Sequence, residues 1–120
     1  MPASITYNQG DVVLVRFPFT NQEGDKQRPA LVISANWYNN DRQDVILAAI
    51  TTVIPASPTR DQVLLTVPDQ RMIHADYPCI ILTGKIFTIK KAKIIKTLGH
   101  VSPVTSQTAI QHLIDVFSGT

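Results

Sequence analysis

The sequence has little of what several classes of protein require. A single cysteine, Cys79, excludes a disulfide within the chain, and its apolar surroundings favour a buried thiol over a nucleophile. No apolar run approaches the roughly eighteen residues of a membrane-spanning helix. The opening residues, MPASITYNQG, lack the charged and apolar regions of a secretory signal peptide. We therefore expect a cytoplasmic protein without a membrane partner.

Signatures of metal and cofactor binding are also missing from the sequence. The three histidines, His74, His100 and His112, are widely spaced, and none belongs to a His-x-x-x-His or Cys-x-x-Cys pattern. The five glycines stand alone, so no glycine-rich loop is available to bind phosphate. No local motif indicates a catalytic serine or cysteine. We expect a site that uses neither a metal nor a cofactor.

The chain does have enough apolar sequence for one folded domain. Its 120 residues are 44% hydrophobic, and we expect all of them, 1–120, to form a single domain with a loose lead-in over residues 1–9. The net charge of +2 is mild, but the segment between Asp76 and Asp115 contains no acid. Its lysines form either a nucleic-acid-binding surface or a solvated edge that resists strand pairing: Lys85, Lys90, Lys91, Lys93 and Lys96.

The order of apolar runs and breaks predicts a mainly β protein with one terminal helix. The helix, over 102–118, has Ser102 as N-cap, Pro103 in its first turn and Gly119 as C-cap. Short strands separated by Pro and Gly favour a small closed or partly closed β-barrel that the helix covers at one end or edge. Strands are expected over 11–17, 30–35, 44–52, 62–67, 79–83 and 94–101, with a weak continuation at 85–89.

Two residues are candidates for a metal-free anion site. Arg28 precedes Pro29 at the start of a strand, after a polar loop, Thr20–Gln27, that contains no apolar residue. Thr51 and Thr52 end the next strand, and in an antiparallel pair that end meets the start of its neighbour. A guanidinium suits phosphate because its fork donates two parallel hydrogen bonds. Alternatively, Arg28 is a surface cation and Thr51 satisfies backbone groups at a strand end.

The whole pattern, GDVVLVRFPF, QRPALVIS, ILAAIT and the pair Thr88-Ile89, resembles the MazF/PemK toxins of bacterial type II toxin–antitoxin systems. The resemblance covers nearly the whole chain from Gly10. It implies an SH3-like, CcdB/MazF-type β-barrel with a C-terminal helix, assembled as a homodimer. It also implies a metal-independent endoribonuclease that cuts single-stranded RNA, chiefly mRNA, leaving a 2′,3′-cyclic phosphate. A cognate antitoxin would neutralise the toxin, and DNA would be reached only indirectly, through the antitoxin complex.

The resemblance also assigns roles to residues. Arg28 and Thr51 would be catalytic, Arg28 by stabilising the charge that develops on the scissile phosphate, and the loop 20–27 would cover the substrate cleft. A further set would bind RNA, with Phe87 able to stack on a base or, alternatively, to pack in the barrel or a dimer interface: Thr20, Lys26, Thr52, Lys85 and Phe87.

The sequence departs from the family pattern in its later strand. Phe87 stands where many members carry an arginine, and Leu82-Thr83-Gly84 replaces an Arg-x-Asp group of the plasmid toxins, which leaves Lys85 as a substitute cation. A second hypothesis is therefore a MazF-like barrel that binds nucleic acid or antitoxin without cutting. A third is a peptide-binding SH3-like module. We expect Trp37 to pack against the barrel, and a His74–Asp76 catalytic pair is a weaker alternative.

Overall fold

The computed structural model describes residues 5–16 and 26–119, and the part of the chain that it describes is a six-stranded antiparallel sheet with helices at its sides. The strands are β1 (Asp11–Arg16), β2 (Gln27–Val32), β3 (Asp44–Thr51), β4 (Gln62–Leu64), β5 (Ile80–Lys90) and β6 (Lys96–His100). The helices are α1 (Asn36–Asp41), α2 (Val67–Met72) and α3 (Pro103–Ser118), and a 3₁₀ turn (Lys91–Lys93) connects β5 to β6.

This architecture confirms the predicted fold class, mainly β with a C-terminal helix. The strand order is β4-β5-β3-β2-β1-β6, and every neighbouring pair is antiparallel. Within the described residues the hydrogen-bonded ladder is open, because β4 and β6 are edge strands that do not pair with each other. In no helix of this part of the chain is the apolar stretch long enough to span a membrane.

Both faces of the sheet are buried in its central strands, which explains their nearly continuous apolar sequence. Side chains alternate between the faces. One face, here the helix face, packs against α3 through Val12, Leu31, Ala48, Ile50 and Ile81, with Ala109 of α3 fully buried. The other, here the second face, carries a separate cluster that includes Val13, Val15, Ala30, Val32, Val45, Leu47 and Ala49.

β5 is one long strand, whereas the sequence predicted a break at Gly84. Ala49 pairs with Leu82 and the adjacent Ala48 pairs with Ile86, so residues 83–85 form a bulge. The bulge is held at Thr83, which is 1% exposed and donates both its amide (3.2 Å) and its hydroxyl to the carbonyl of Asp61. A glycine in a strand therefore marks an irregularity here, not a strand end.

The segment after β4 also differs from the prediction. The strand expected over 62–67 ends at Leu64, and α2, which the sequence did not predict, follows it. Thr66 caps this helix, its hydroxyl accepting the Asp69 amide at 3.2 Å, and Pro68 lies in the first turn. Proline was interpreted as a strand breaker, but it is equally favourable at a helix start. β2 likewise begins earlier than predicted, at Gln27.

A buried polar network shows that the lead-in is not loose throughout. Asn39 of α1 is 1% exposed and donates to the carbonyls of Tyr7 (3.0 Å) and Ser34 (3.1 Å). The Ser34 hydroxyl donates to Asn39 and accepts the amide of Ile46 at 3.0 Å. Tyr7 is itself 5% exposed, so residues 7–9 belong to the folded body. The network connects the N-terminal segment, α1 and β3, and each of its groups would be costly to leave unpaired.

The start of α3 is fixed by a buried carboxylate. Asp69 accepts the Ser102 amide at 2.7 Å and the hydroxyl of Thr105, two groups in the first turn of α3. Burial opposes the charge on Asp69, but hydrogen bonds from Thr105, Ser102 and Thr66 outweigh it and hold the pKa of this carboxyl below its usual range. At the other end Gly119 adopts φ 77° as the C-cap, as predicted.

Close contact between α2 and β6 requires a glycine. A Cβ on Gly99 would lie 2.0 Å from the carbonyl oxygen of Met72, a distance that no side chain can occupy. Gly99 thus lets the backbone of β6 approach the end of α2, beside the Asp69 contact. Together, Gly99 and Asp69 position α2 and α3 on the helix face.

We predict that Asp69→Asn destabilises the protein in a pH-dependent way. A carboxyl whose pKa is lowered by folding stabilises the folded state above its unfolded pKa of about 3.9, and that contribution is lost as the pH falls through the lower folded value. Urea unfolding at pH 7 should show a loss of about 1–3 kcal/mol, because the buried donors lose a charged acceptor. Below about pH 4 the difference from the wild type should shrink.

The matched control is Asp76→Asn, because Asp76 is exposed on a loop. It should change the unfolding free energy by less than about 0.5 kcal/mol. A difference between wild type and Asp69→Asn that stays constant from pH 7 to pH 3 would contradict the assignment.

Candidate functional site

Arg28 lies near the start of β2, on the second face of the sheet. It shares that face with Ala30 and Val32, since side chains two residues apart point the same way. Its partner across the β1–β2 ladder is the fully buried Val15. Arg28 is partly buried. The Arg28 backbone thus belongs to a packed part of the sheet, which limits the positions that its side chain can reach.

Thr51 ends β3 on the same face. In the β2–β3 ladder Ala30 pairs with Ala49 and Val32 with Leu47. Continuing this register by two residues places Arg28 opposite Thr51. Directly opposed residues of an antiparallel pair have Cβ atoms about 5 Å apart and share a face. The paired part of the ladder ends at Ala30 and Ala49, and its register predicts that the two residues singled out from the sequence lie near each other.

The Thr51 hydroxyl already has one defined partner. It accepts the Val53 amide at 3.1 Å, in the turn that leaves β3. A hydroxyl that accepts from the backbone keeps its own proton as a donor. Thr51 is partly buried, whereas Thr52 is exposed. Arg28 thus offers a cation and Thr51 an O–H donor, a combination that suits a phosphate diester.

The other candidate residues are distributed more widely. Lys26 is exposed and lies two residues before Arg28, while Thr20 and most of the loop 20–27 lie outside the described residues. Phe87 pairs with Leu47 and packs partly on the second-face cluster, four residues along β3 from Thr51, or about 13 Å. Lys85 is exposed in the β5 bulge. Phe87 therefore shares the second face with Thr51 but does not adjoin it.

The sequence also raised a His74–Asp76 pair, metal binding and the state of Cys79. His74 and Asp76 are exposed in the loop after α2, where His74 adopts the left-handed φ of 58° that helps to end the helix. Among residues 5–16 and 26–119, no three His, Cys, Asp or Glu side chains are grouped so that they could hold a metal ion. Cys79 is buried, and burial raises the pKa of its thiol, as suits a packed side chain.

The prediction for Trp37 was wrong. Its side chain is 64% exposed, because Asn39 takes the inward position of the short helix α1. Residues two apart on a helix point in nearly opposite directions. A buried Asn could not be foreseen from the segment NWYNND, in which the aromatic residues are the obvious candidates for burial.

Comparison with known proteins identifies a family for this chain. A sequence model of the family described as PemK-like, MazF-like toxin of type II toxin–antitoxin system matches residues 8–117. No curated protein sequence matches the chain.

Solved structures resemble the fold at low sequence identity. An endoribonuclease in complex with its cognate antitoxin, from a mycobacterial species, superposes with a TM-score of 0.77 at 19% identity, covering 94% of this chain and 96% of the other. MazF from Deinococcus radiodurans gives 0.73 at 18%, covering 96% and 99%. A MazE–MazF structure from the same organism gives 0.71 at 17%, covering 95% and 97%. These likenesses establish a shared fold over nearly the full length of each chain.

Proposed function

Because the chain belongs to the PemK-like, MazF-like toxins of type II toxin–antitoxin systems, we propose that it is a metal-independent endoribonuclease that cleaves single-stranded RNA, chiefly mRNA. One observation supports the proposal most: the β2–β3 register, in which Ala30 pairs with Ala49, puts Arg28 and Thr51 on one face of the sheet when it is continued by two residues. Among the similar structures, one is named an endoribonuclease with its cognate antitoxin. The proposal includes a single domain over residues 1–120 that acts in the cytoplasm.

The proposed chemistry uses the RNA's own 2′-hydroxyl. Its oxygen loses its proton and attacks the adjacent phosphorus, the bond to the 5′-oxygen breaks, and that oxygen takes up a proton. The products are a 2′,3′-cyclic phosphate and a 5′-hydroxyl. Negative charge builds up on the phosphoryl oxygens of the pentavalent transition state. Arg28 stabilises that charge, and it does so more strongly in a partly buried position than in bulk water. Thr51 donates its O–H to a phosphoryl oxygen and so orients the scissile group.

The remaining residues bind and cover the substrate. Lys26 and Thr52, one near each strand end, contact the RNA backbone next to the cleaved bond. Phe87 supplies a ring on the second face that stacks on a neighbouring base. Lys85 takes the place of the arginine that many relatives carry nearby. Thr20 belongs to the proposed covering loop and is outside the described residues.

We propose that an antitoxin neutralises the enzyme by covering Arg28. A segment that lies across this strand end would exclude RNA from the cation and the Thr51 hydroxyl together. DNA would be contacted only through the antitoxin in the complex. In support, one of the similar structures is an endoribonuclease in complex with its cognate antitoxin.

A non-cutting member of the family is the alternative. The feature that favours it is β5, where the position of a second catalytic group holds Leu82, Thr83 and Gly84. Thr83 is buried and bonded to the Asp61 carbonyl, so its hydroxyl cannot substitute for a charged residue. All catalysis would then depend on Arg28 and Thr51. Binding of RNA without any cleavage by the wild type would favour this alternative.

We predict that Arg28→Ala lowers the cleavage rate by about 100-fold or more, since one transition-state donor contributes about that much. The assay uses a mixed single-stranded RNA in EDTA, with end-group analysis of the products. Arg28→Lys keeps the charge but loses the fork, and should recover only part of the rate. Arg71→Ala, which removes an exposed cation of α2, should cleave like the wild type. Undiminished cleavage by folded Arg28→Ala would refute this mechanism.

We predict a graded series at Thr51. Thr51→Ser keeps the hydroxyl and should stay within about ten-fold of the wild-type rate. Thr51→Val keeps the shape but removes the donor, and should lose about 10–100-fold in kcat, consistent with one hydrogen bond to a charged group. Single-turnover cleavage measures the chemical step directly. Equal rates for the serine and valine variants would show that the hydroxyl has no part in the reaction.

We propose a homodimer, with apolar side chains of α3 in the interface. The apolar side chains of this helix are divided: Ile110 and Leu113 pack on the core, whereas Ile114 and Phe117 are 51% and 69% exposed. Exposed apolar surface of this kind is typical of an interface. Phe117→Glu should shift the mass measured by light scattering towards the monomer. Val104→Glu, at an exposed position of the first turn, should not. A monomeric wild type at micromolar concentration would overturn the proposal.

A further inference from the structure

The short helix α1 presents an aromatic pair to solvent. Trp37 is 64% exposed, and its ring meets the ring of Tyr38 edge-on, with centroids 5.9 Å apart and planes at 74°. The Arg42 guanidinium lies over the Tyr38 ring, 5.5 Å from its centroid. Because Asn39 anchors α1 through buried hydrogen bonds, the rings are held on a rigid support. An exposed tryptophan on such a support is typical of a binding surface.

Basic residues from a distant part of the sequence border the turn that follows this helix. The Lys91 amide donates to the carbonyl of Gln43 at 2.8 Å, and Lys90 pairs with Asp44 across the β3–β5 ladder. The turn after α1 therefore abuts the end of β5 and the 3₁₀ turn. Four cations share this end of the sheet with two carboxylates: Arg42, Lys90, Lys91 and Lys93, against Asp41 and Asp44. We call Trp37, Tyr38, Arg42 and these lysines the aromatic–basic patch.

We propose that the aromatic–basic patch binds single-stranded RNA, with Trp37 stacked on a base and the lysines contacting phosphates. Stacking on an aromatic face together with cations that follow the backbone is how single strands are bound without sequence preference. A single strand of RNA would use both features, because each of its bases offers a face to the exposed ring and each phosphate a charge to the cations. The inference rests on the proposed function in that it extends the path of the same RNA substrate beyond the cleaved bond.

The location of the patch defines what it can do. It lies at the Asp44 end of β3, whereas Thr51 lies at the other end, seven residues or about 23 Å away. A nucleotide held at the patch is therefore too far from Thr51 to be the one that is cleaved. The patch therefore contributes affinity for longer RNA, and its loss should raise KM while leaving kcat unchanged.

Trp37 is the only tryptophan of the chain, so its fluorescence reports on the patch directly. The experiment titrates the wild-type protein with a 2′-O-methyl oligonucleotide of mixed sequence, which lacks the nucleophilic hydroxyl and stays uncut. Anisotropy of a label on the oligonucleotide measures total binding in parallel. We expect saturable quenching of Trp37 that follows the anisotropy curve.

Variants separate stacking from charge. Trp37→Ala should weaken binding about ten-fold and Trp37→Phe much less, since one stacked base contributes a factor of that order. Tyr77→Ala is the matched control, because Tyr77 is 68% exposed but lies outside the patch. The double change Lys90→Gln and Lys93→Gln should reduce the slope of log affinity against log salt by about 1.4. Arg71→Gln should leave that slope unchanged.

The outcomes also separate this inference from the proposed function. Quenching of Trp37 by the oligonucleotide, with no cleavage of ordinary RNA, would refute the proposed activity and support RNA binding at the patch. RNA binding without quenching, or equal affinity for Trp37→Ala and wild type, would refute the patch and leave cleavage at Arg28 untouched. Quenching by an antitoxin peptide but not by the oligonucleotide would identify a protein-binding surface and overturn the inference.

Discussion

The register between β2 and β3 is the constraint on which the candidate site depends. The ladder that pairs Ala30 with Ala49 also decides that Arg28 and Thr51 share a face. A slip of one residue would turn Arg28 towards the opposite face, since side chains alternate along a strand. Apolar packing on both faces penalises such a slip, because either face would then lose its buried side chains. The core thus fixes the site's geometry without contributing a catalytic group.

Sequence reasoning could single out this candidate site because the features that suggest it are local. Pro29 lies near the strand start, the polar loop precedes the strand, and the apolar run of β3 ends in threonine. Antiparallel neighbours bring those two ends together whatever the details elsewhere. The terminal helix was equally accessible, with Ser102 and Gly119 as caps. The roles of the residues came from resemblance, since an arginine opposite a threonine does not by itself specify ribonuclease chemistry.

What escaped prediction depends on partners far away in sequence. α2 is capped by Thr66 and tied to α3 through Asp69, which contacts residues more than thirty positions later. Asn39 is buried because the carbonyls of Tyr7 and Ser34 need a donor, and this leaves Trp37 outside. In both places a polar residue replaced an apolar one in the interior. Hydrophobic periodicity cannot report such a substitution, because hydrogen bonding drives it.

The bulge in β5 has a consequence for how this fold can diversify. Residues 83–85 leave the ladder between two regular stretches and are held at one point, the Asp61 carbonyl. The exposed Lys85 side chain there can change in size or charge while the pairing of Leu82 with Ala49 and Ile86 with Ala48 is kept, whereas the buried Thr83 holds the bulge. The stretches of β5 on either side of the bulge therefore maintain the pairing with β3, while the exposed position between them tolerates substitution. Substitution at this bulge can therefore change the surface that the sheet presents to a ligand without changing the fold.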